Sequence, residues 1–261
     1  MTDRVWILGV PFDPVDLPGA VEAVERLLQD GRPHLVVTAN PEAVMASRRD
    51  PELAAAIRVA DLVVADGIGI VWASGHLQRP LPARVPGIEL MEALCGRAAA
   101  TGRGVYLLGG APGVAERAAH TLQGRYPGLR IAGTHHGYFS DDAAVVARIA
   151  ASGAEFLFAG LGMPRQEKWL ARHLEGLGVR LAMGVGGSLD VLAGRIPRAP
   201  AWVRRMHLEW LYRLVRQPSR WRRQLALARF VWSVLQAGRG ERRGSTEYTG
   251  HGRGGARWPK C

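Results

Sequence analysis

Cysteine, lysine and long apolar runs are what this 261-residue sequence has least of. Its two cysteines, Cys95 and Cys261, are too few and too far apart for a disulfide framework or a four-ligand zinc site. A reducing, cytoplasmic setting is the resulting expectation. No run reaches the roughly 18 apolar residues of a spanning helix. Met1–Asp16 places Asp3, Arg4, Asp13 and Asp16 around one short apolar run, unlike the h-region of a signal peptide. Neither export by that route nor passage through a bilayer is expected. No strand-to-helix turn carries G-x-G-x-x-G, no Walker A sequence occurs, and there is no D-x-D triad of the kind that holds a divalent ion on a sugar nucleotide. What is present is a 48% apolar composition, enough for a real core and incompatible with disorder of the whole chain.

The net charge of +11 is unevenly placed. Residues 1–194 hold 18 Lys+Arg against 20 Asp+Glu, a net of −2, whereas residues 195–261 hold 16 against 3, a net of +13. This divides the chain into a near-neutral body, 1–194, and a basic appendage whose partner is anionic: a phosphorylated ligand, a membrane surface or nucleic acid. Nearly every cation is Arg, since Lys168 and Lys260 are the only lysines. Ala and Gly are abundant too, so the choice of Arg over Lys marks no phosphate site by itself; the clustering does need a cause.

The body alternates short β-rich runs (Val5–Leu8, Leu35–Thr38, Leu62–Ala65, Val105–Leu108, Arg130–Ala132, Glu155–Ala159 and Arg180–Val185) with segments of helical period. The helices expected are Pro18–Gln29, Pro41–Ser47, Pro51–Val59, Ile88–Ala100, Pro112–Arg125, Asp141–Ala151 and Arg165–Glu175. Several open on Pro or an Asp cap. The pattern is that of βαβ units: an α/β, Rossmann-like fold with a mostly parallel, doubly wound sheet. Ligands of such sheets bind beyond the carboxyl ends of the strands, and the unusual residues fall there.

Asp66, before Gly67 and Gly69, suits a general base that deprotonates a hydroxyl, and equally a cap for a helix starting near Ile68. Thr38 and Asn40 suit substrate orientation, or caps before Pro41. The Gly109–Gly113 turn suits phosphate on backbone N–H groups at a helix start. Gly162–Trp169 has more polar and aromatic residues than a plain cap needs. His135 and His136 lack a third ligand at matching spacing, which favours a turn pair over a metal site.

Beyond Arg195, Arg198, Arg204, Arg205, Arg213 and Arg216 mingle with Trp202, Trp210 and Tyr212. Trp221, Leu225, Ala228, Trp232 and Leu235 then recur at steps of four and three, one stripe of a helix flanked by Arg222 and Arg229. Such a helix either lies at a membrane interface or packs on the protein's own core. The appendage is read as helical over 195–236, and residues 237–261, rich in Gly and Arg, as a disordered tail.

Taken in order, Thr38-Ala39-Asn40-Pro41, Ala65-Asp66-Gly67-Ile68-Gly69, Arg84-Val85-Pro86-Gly87, Leu107-Leu108-Gly109-Gly110, Gly137-Tyr138-Phe139, Gly162-Met163-Pro164-Arg165-Gln166-Glu167, Gly184-Val185-Gly186-Gly187 with Asp190, Arg198-Ala199-Pro200 and Leu208–Leu214 resemble the WecG/TagA/CpsF family of bacterial glycosyltransferases over about residues 5 to 225. The resemblance implies an inverting, metal-independent transfer of a sugar, N-acetylmannosamine or its uronic acid, from a UDP-sugar donor to a polyprenyl-diphosphate-linked acceptor, with no cofactor. It implies a peripheral position on an anionic membrane surface, at the inner face of the cytoplasmic membrane, in teichoic acid, common antigen or capsule assembly. It assigns Asp66 as catalytic base with the pocket residues Thr38 and Asn40 in the catalytic set, Arg84 and Gln166 to substrate binding, Tyr138 and Asp190 to nucleotide-binding blocks alongside Gly109 and Gly110, and Arg213, Arg220 and Arg223 to closure over the diphosphate. Donor sugar, acceptor and oligomeric state, a homo-oligomer included, stay open. Two other classes compete: a dinucleotide-dependent oxidoreductase, against which stands the missing glycine fingerprint, and a nucleic-acid binder, for which no module is present.

Overall fold

The computed structural model describes residues 3–197, 199–200, 203, 206, 212 and 221–246, with the side chains of the last helix described over 225–238. Eight strands are present among them: β1 (Val5–Ile7), β2 (Val10–Phe12), β3 (His34–Ala39), β4 (Leu62–Ala65), β5 (Gly104–Gly109), β6 (Arg130–His135), β7 (Phe156–Gly160) and β8 (Leu181–Gly184). The helices are α1 (Leu17–Leu27), α2 (Pro41–Ser47), α3 (Pro51–Arg58), α4 (Ile68–His76), α5 (Gly87–Thr101), α6 (Val114–Arg125), α7 (Asp142–Ala151), α8 (Arg165–His173), α9 (Ser188–Leu192) and α10 (Trp221–Thr246).

Six strands form one sheet in the order β4-β3-β8-β7-β5-β6, every neighbouring pair parallel. Parallel strands buried on both faces need apolar residues on both sides, and the strands supply them. Leu35, Val37, Ala39, Val63, Ala65, Leu108, Leu157, Ala159 and Ala182 face a layer built from α2, α3, α4, α7, α8 and α10. Val36, Leu62, Val64, Val105, Leu107, Phe156, Phe158, Leu181 and Met183 face α1, α5, α6 and α9. The helices begin where capping chemistry directs: Asp16, Asn40, Asp50 and Asp141 each accept a backbone N–H of their helix's first turn, and α1, α2 and α3 have Pro there as well. The doubly wound α/β architecture expected from the alternation is the one observed.

Three local features differ from the expected set. Val5–Ile7 does not join the parallel sheet; it pairs antiparallel with Val10–Phe12 through a turn in which Leu8 and Gly9 have φ of 50° and 89°. The second strand of this hairpin was not anticipated because Pro11, which cannot donate to a ladder, argues against a strand. Helix α4 starts where a helix near Ile68 is expected, but its extent is hidden because Gly69, Ser74 and Gly75 are poor helix formers, and α9 is hidden because its five residues show no period. Helix α10 spans Trp221–Thr246, longer than the Trp221–Leu235 stripe that its period picks out.

Helix α10 packs along α2 and α4. Phe230 and Val234 are fully buried against the body, Leu227 approaches Gly69, and Gly238 lies against the His76 ring. The stripe picked out by its spacing is on the opposite side: Leu225, Ala228, Trp232 and Leu235 are exposed, Trp232 at 63%. On α4, Ile68 and Trp72 are exposed as well, and Trp72 stacks on His76 with ring centroids 5.6 Å apart.

Candidate active site

The chain leaves β5 outward toward β6 but leaves β7 inward toward β8, so the connections part at the carboxyl edge of adjacent strands, where sheets of this kind have their ligand crevice. Contacts run without a break along that edge, and they bring the expected site residues together. At one end, the Asp66 N–H donates to the Ala39 carbonyl (2.9 Å), and Val85 N–H donates to the Ala65 carbonyl (2.8 Å). Asn40 and Asp66 thus follow immediately on two paired strand ends, and Arg84 precedes a residue docked beside them. A Cβ on Gly87 would sit 3.0 Å from Thr38 Oγ1, so only glycine lets the first turn of α5 come this close. Thr38 Oγ1 donates to the Gly184 carbonyl at 3.5 Å, which joins β3 to β8.

Gln166 makes the next link. Its Oε1 accepts the N–H groups of Gly162 (3.2 Å) and Gly186 (3.0 Å), joining the loops after β7 and β8. Gly110 N–H donates to the Gly160 carbonyl (3.3 Å), and Gly137 N–H to the Gly110 carbonyl (2.8 Å), which brings in the turn after β5 and the loop after β6. At Gly109, φ is +140° and a Cβ would lie 2.4 Å from the Gly160 carbonyl oxygen, so no other residue fits. Tyr138, next to Gly137, is 74% exposed. Asp190 lies on α9 with Arg195 Nη1 3.8 Å from its Oδ1.

The competing readings of single residues now separate. The N-cap position of α4 is Gly67, so Asp66 is a half-buried carboxylate that follows β4 and stands one residue before that cap. Asn40 is the cap of α2, its Oδ1 accepting from Ala43 N–H at 2.9 Å. Gln166 is buried, with its carbonyl engaged by two loops, so its bearing on a ligand passes through them. His135 Nδ1 pairs with the His136 carbonyl (2.8 Å), and Tyr138 N–H donates to His136 Nδ1 (3.3 Å), the bonding of a turn pair. Arg213 and Arg220 lie outside the described residues; Arg223 is on α10 with its side chain outside them.

Two residues of the site were not singled out from the sequence. Arg165 donates to the Gly137 and Phe139 carbonyls (2.9 and 3.3 Å) with its guanidinium 4.7 Å from the Phe139 ring centre, and so fixes the loop that bears Tyr138. Glu167 is buried at 4% exposure, accepts from Gln166 Nε2 at 2.8 Å, and has its carboxyl pushed up from the usual range by burial. A signal for its burial was available: residues 166, 167, 169 and 170 fall on one helical face with Trp169 and Leu170.

The sequence profile of the glycosyl transferase WecG/TagA/CpsF family matches residues 5–244. Among curated relatives, the N-acetylglucosaminyldiphosphoundecaprenol N-acetyl-beta-D-mannosaminyltransferases of Staphylococcus aureus strains MRSA252 and MW2 are each 38% identical over 241 residues, covering 91% of this chain and 94% of theirs. A match of this extent, over blocks that the fold gathers on one edge of one sheet, shows that the chain is a glycosyltransferase and belongs to the WecG/TagA/CpsF family.

Proposed function

We propose that the protein transfers N-acetylmannosamine, or its uronic acid, from UDP to a polyprenyl-diphosphate-linked sugar, with inversion and without a metal ion. The observation that carries the chemistry is the position of Asp66 at the sheet's carboxyl edge, beside Asn40 and the Arg84–Gly87 segment and immediately before Gly67, the N-cap residue of α4. In the reaction the acceptor hydroxyl attacks the anomeric carbon from the face opposite UDP, Asp66 takes its proton, and the bond from the anomeric carbon to the diphosphate oxygen breaks. Negative charge then collects on the leaving diphosphate, where Arg213, Arg220 and Arg223 are assigned to neutralise it in place of a divalent ion. Thr38, Asn40 and Arg84 are assigned to the sugar and acceptor end of the crevice. Gly109, Gly110, Tyr138 and Asp190 are assigned to the nucleotide end. The names of the staphylococcal relatives support this donor and acceptor class.

The appendage is proposed to hold the enzyme against an anionic membrane surface, where a polyprenyl acceptor resides. Supporting this, α10 presents Leu225, Trp232 and Leu235 outward, with Arg229 exposed beside them and Arg48, bound to Ser233 Oγ at 3.0 Å, on the neighbouring helix end. Among the described residues no helix is long and apolar enough to cross a membrane. A panel of UDP-sugars, assayed with a short-chain polyprenyl-diphosphate-GlcNAc acceptor with and without EDTA, tests the whole reading. Turnover with UDP-N-acetylmannosamine or its uronate that EDTA leaves unchanged is expected. Strict dependence on Mg²⁺ or Mn²⁺, or release of no sugar to the lipid, would refute it.

A further inference from the structure

A carboxyl group buried to 4% exposure in the first turn of α8 needs a reason, because burying it costs more than burying a leucine of similar size. Glu167 accepts one side-chain hydrogen bond, from Gln166 Nε2 (2.8 Å), while its other oxygen, Oε2, is buried without a hydrogen-bond partner. The value of that one bond lies in what it does to Gln166. A glutamine amide can rotate by half a turn and exchange its oxygen for its nitrogen. Only one orientation lets Gln166 accept from both Gly162 and Gly186, because a flipped amide would point N–H groups at two N–H donors. The Glu167 carboxylate accepts from Nε2 and so selects that orientation. Little else could take the place of the amide: a Cβ on Gly184 would already lie 2.7 Å from Gln166 Nε2. Helix α8 itself is anchored separately, since Lys168 Nζ pairs with Asp50 (2.6 Å) and Glu52 (3.2 Å) at the start of α3.

We infer that Glu167 is a positioning residue: by locking the Gln166 amide it clamps the loops after β7 and β8 together, and thereby sets the part of the crevice that receives the glycosyl donor. The donor half of this statement rests on the function proposed above; the clamp itself does not.

The test compares Glu167→Leu, which removes the acceptor, with Glu167→Gln, which keeps a carbonyl oxygen where Oε1 stands. In Glu167→Leu the hydrogen exchange of the Gly162 and Gly186 amides should rise about tenfold or more while the amides of β3 and β8 keep their rates. The KM for the UDP-sugar should rise roughly 10–100-fold with the acceptor's KM unchanged, as for a misplaced binding loop. Glu167→Gln should restore both readouts. In the unaltered protein, the Gln166 side-chain amide should exchange far more slowly than that of an exposed glutamine, a readout that stands even if Glu167→Leu does not fold. Exchange of that amide at the exposed rate, wild-type exchange at Gly162 and Gly186 in Glu167→Leu, or failure of Glu167→Gln to rescue would overturn the clamp. Faster exchange at both glycines with an unmoved donor KM would overturn the assignment of these loops to the donor and leave the clamp standing.

Discussion

Trp232 offers a direct way to separate a membrane face from a packing face. Its ring leaves 63% of the residue's surface open, while Phe230 and Val234 on the other side of α10 are fully buried. An aromatic side chain has roughly 150–250 Å² to bury, so about 100–160 Å² remains available for a lipid surface. At about 25 cal/mol per Å², complete removal of that area from water is worth about 2–4 kcal/mol. An interfacial ring is taken only to headgroup depth, which places the expected effect of Trp232→Ala at the lower end, about 30-fold in vesicle affinity. Phe230→Ala, by contrast, leaves a cavity and should lower unfolding free energy by about 3–5 kcal/mol. Co-sedimentation with phosphatidylglycerol vesicles, read beside thermal melting, distinguishes the two faces. Trp232→Ala should pellet poorly and melt as the parent does, and a Leu225/Trp232/Leu235 triple alanine should barely pellet. Undiminished vesicle binding together with a large fall in melting temperature for Trp232→Ala would mean that the stripe packs on protein, and the membrane argument would fail.

Other consequences concern the interior. Gly109→Ala should lower unfolding free energy by at least about 2 kcal/mol, through its positive φ and the overlap with Gly160, measurable by urea denaturation; a neutral substitution would refute the geometry of that turn. Burial pushes the Cys95 thiol up to about 12, so in a Cys261→Ser protein a thiol reagent at pH 8 should label nothing until denaturant is added, and rapid labelling of the native protein would contradict this. Burial also raises the Glu167 carboxyl above its unfolded value, so its contribution to stability is fully present below the unfolded value and is lost as pH rises through the folded one. The stability of the parent relative to Glu167→Gln should accordingly decline from pH 4 upward. Asp30, Asp50 and Glu52, whose carboxyls are held low by Arg32, His34, Lys168 and Arg172 and act in the opposite direction, cancel in that difference. A difference that does not vary with pH would show Glu167 to be unperturbed.

Much of this architecture can be read from residues alone because local and tertiary signals agree. Val36–Ala39, Leu62–Ala65 and Leu107–Gly109 are short apolar runs, each meeting a capping or glycine turn, and each ends at the crevice. Where the signals conflict the reading fails: Pro11 conceals the hairpin, and Gly69 and Gly75 conceal how far α4 extends beyond its start, a helix that the body and α10 support on both sides. The period of α10 reveals a stripe but not its direction, since Phe230 and Val234 on the opposite side are as apolar as Leu225 and Trp232. Side-chain roles at the site were harder still. Asn40 and Asp66 look alike in sequence, each polar, each at a strand end and each before a helix; only the structure shows that Asn40 is the N-cap of α2 whereas Gly67, not Asp66, stands at the N-cap of α4. Glu167 resembles an ordinary acidic residue in the first turn of a helix; the face it shares with Trp169 and Leu170 hints at burial, but its bond to Gln166 becomes evident only in the structure.

The assignment of Asp66 as the base is tested most directly by comparing turnover and UDP affinity in Asp66→Asn. The substitution keeps shape and removes the proton acceptor, so transfer should slow by about 10²–10⁴ while the Kd for UDP stays within about threefold of the parent's. Turnover near the parent's rate would show that some other group takes the proton.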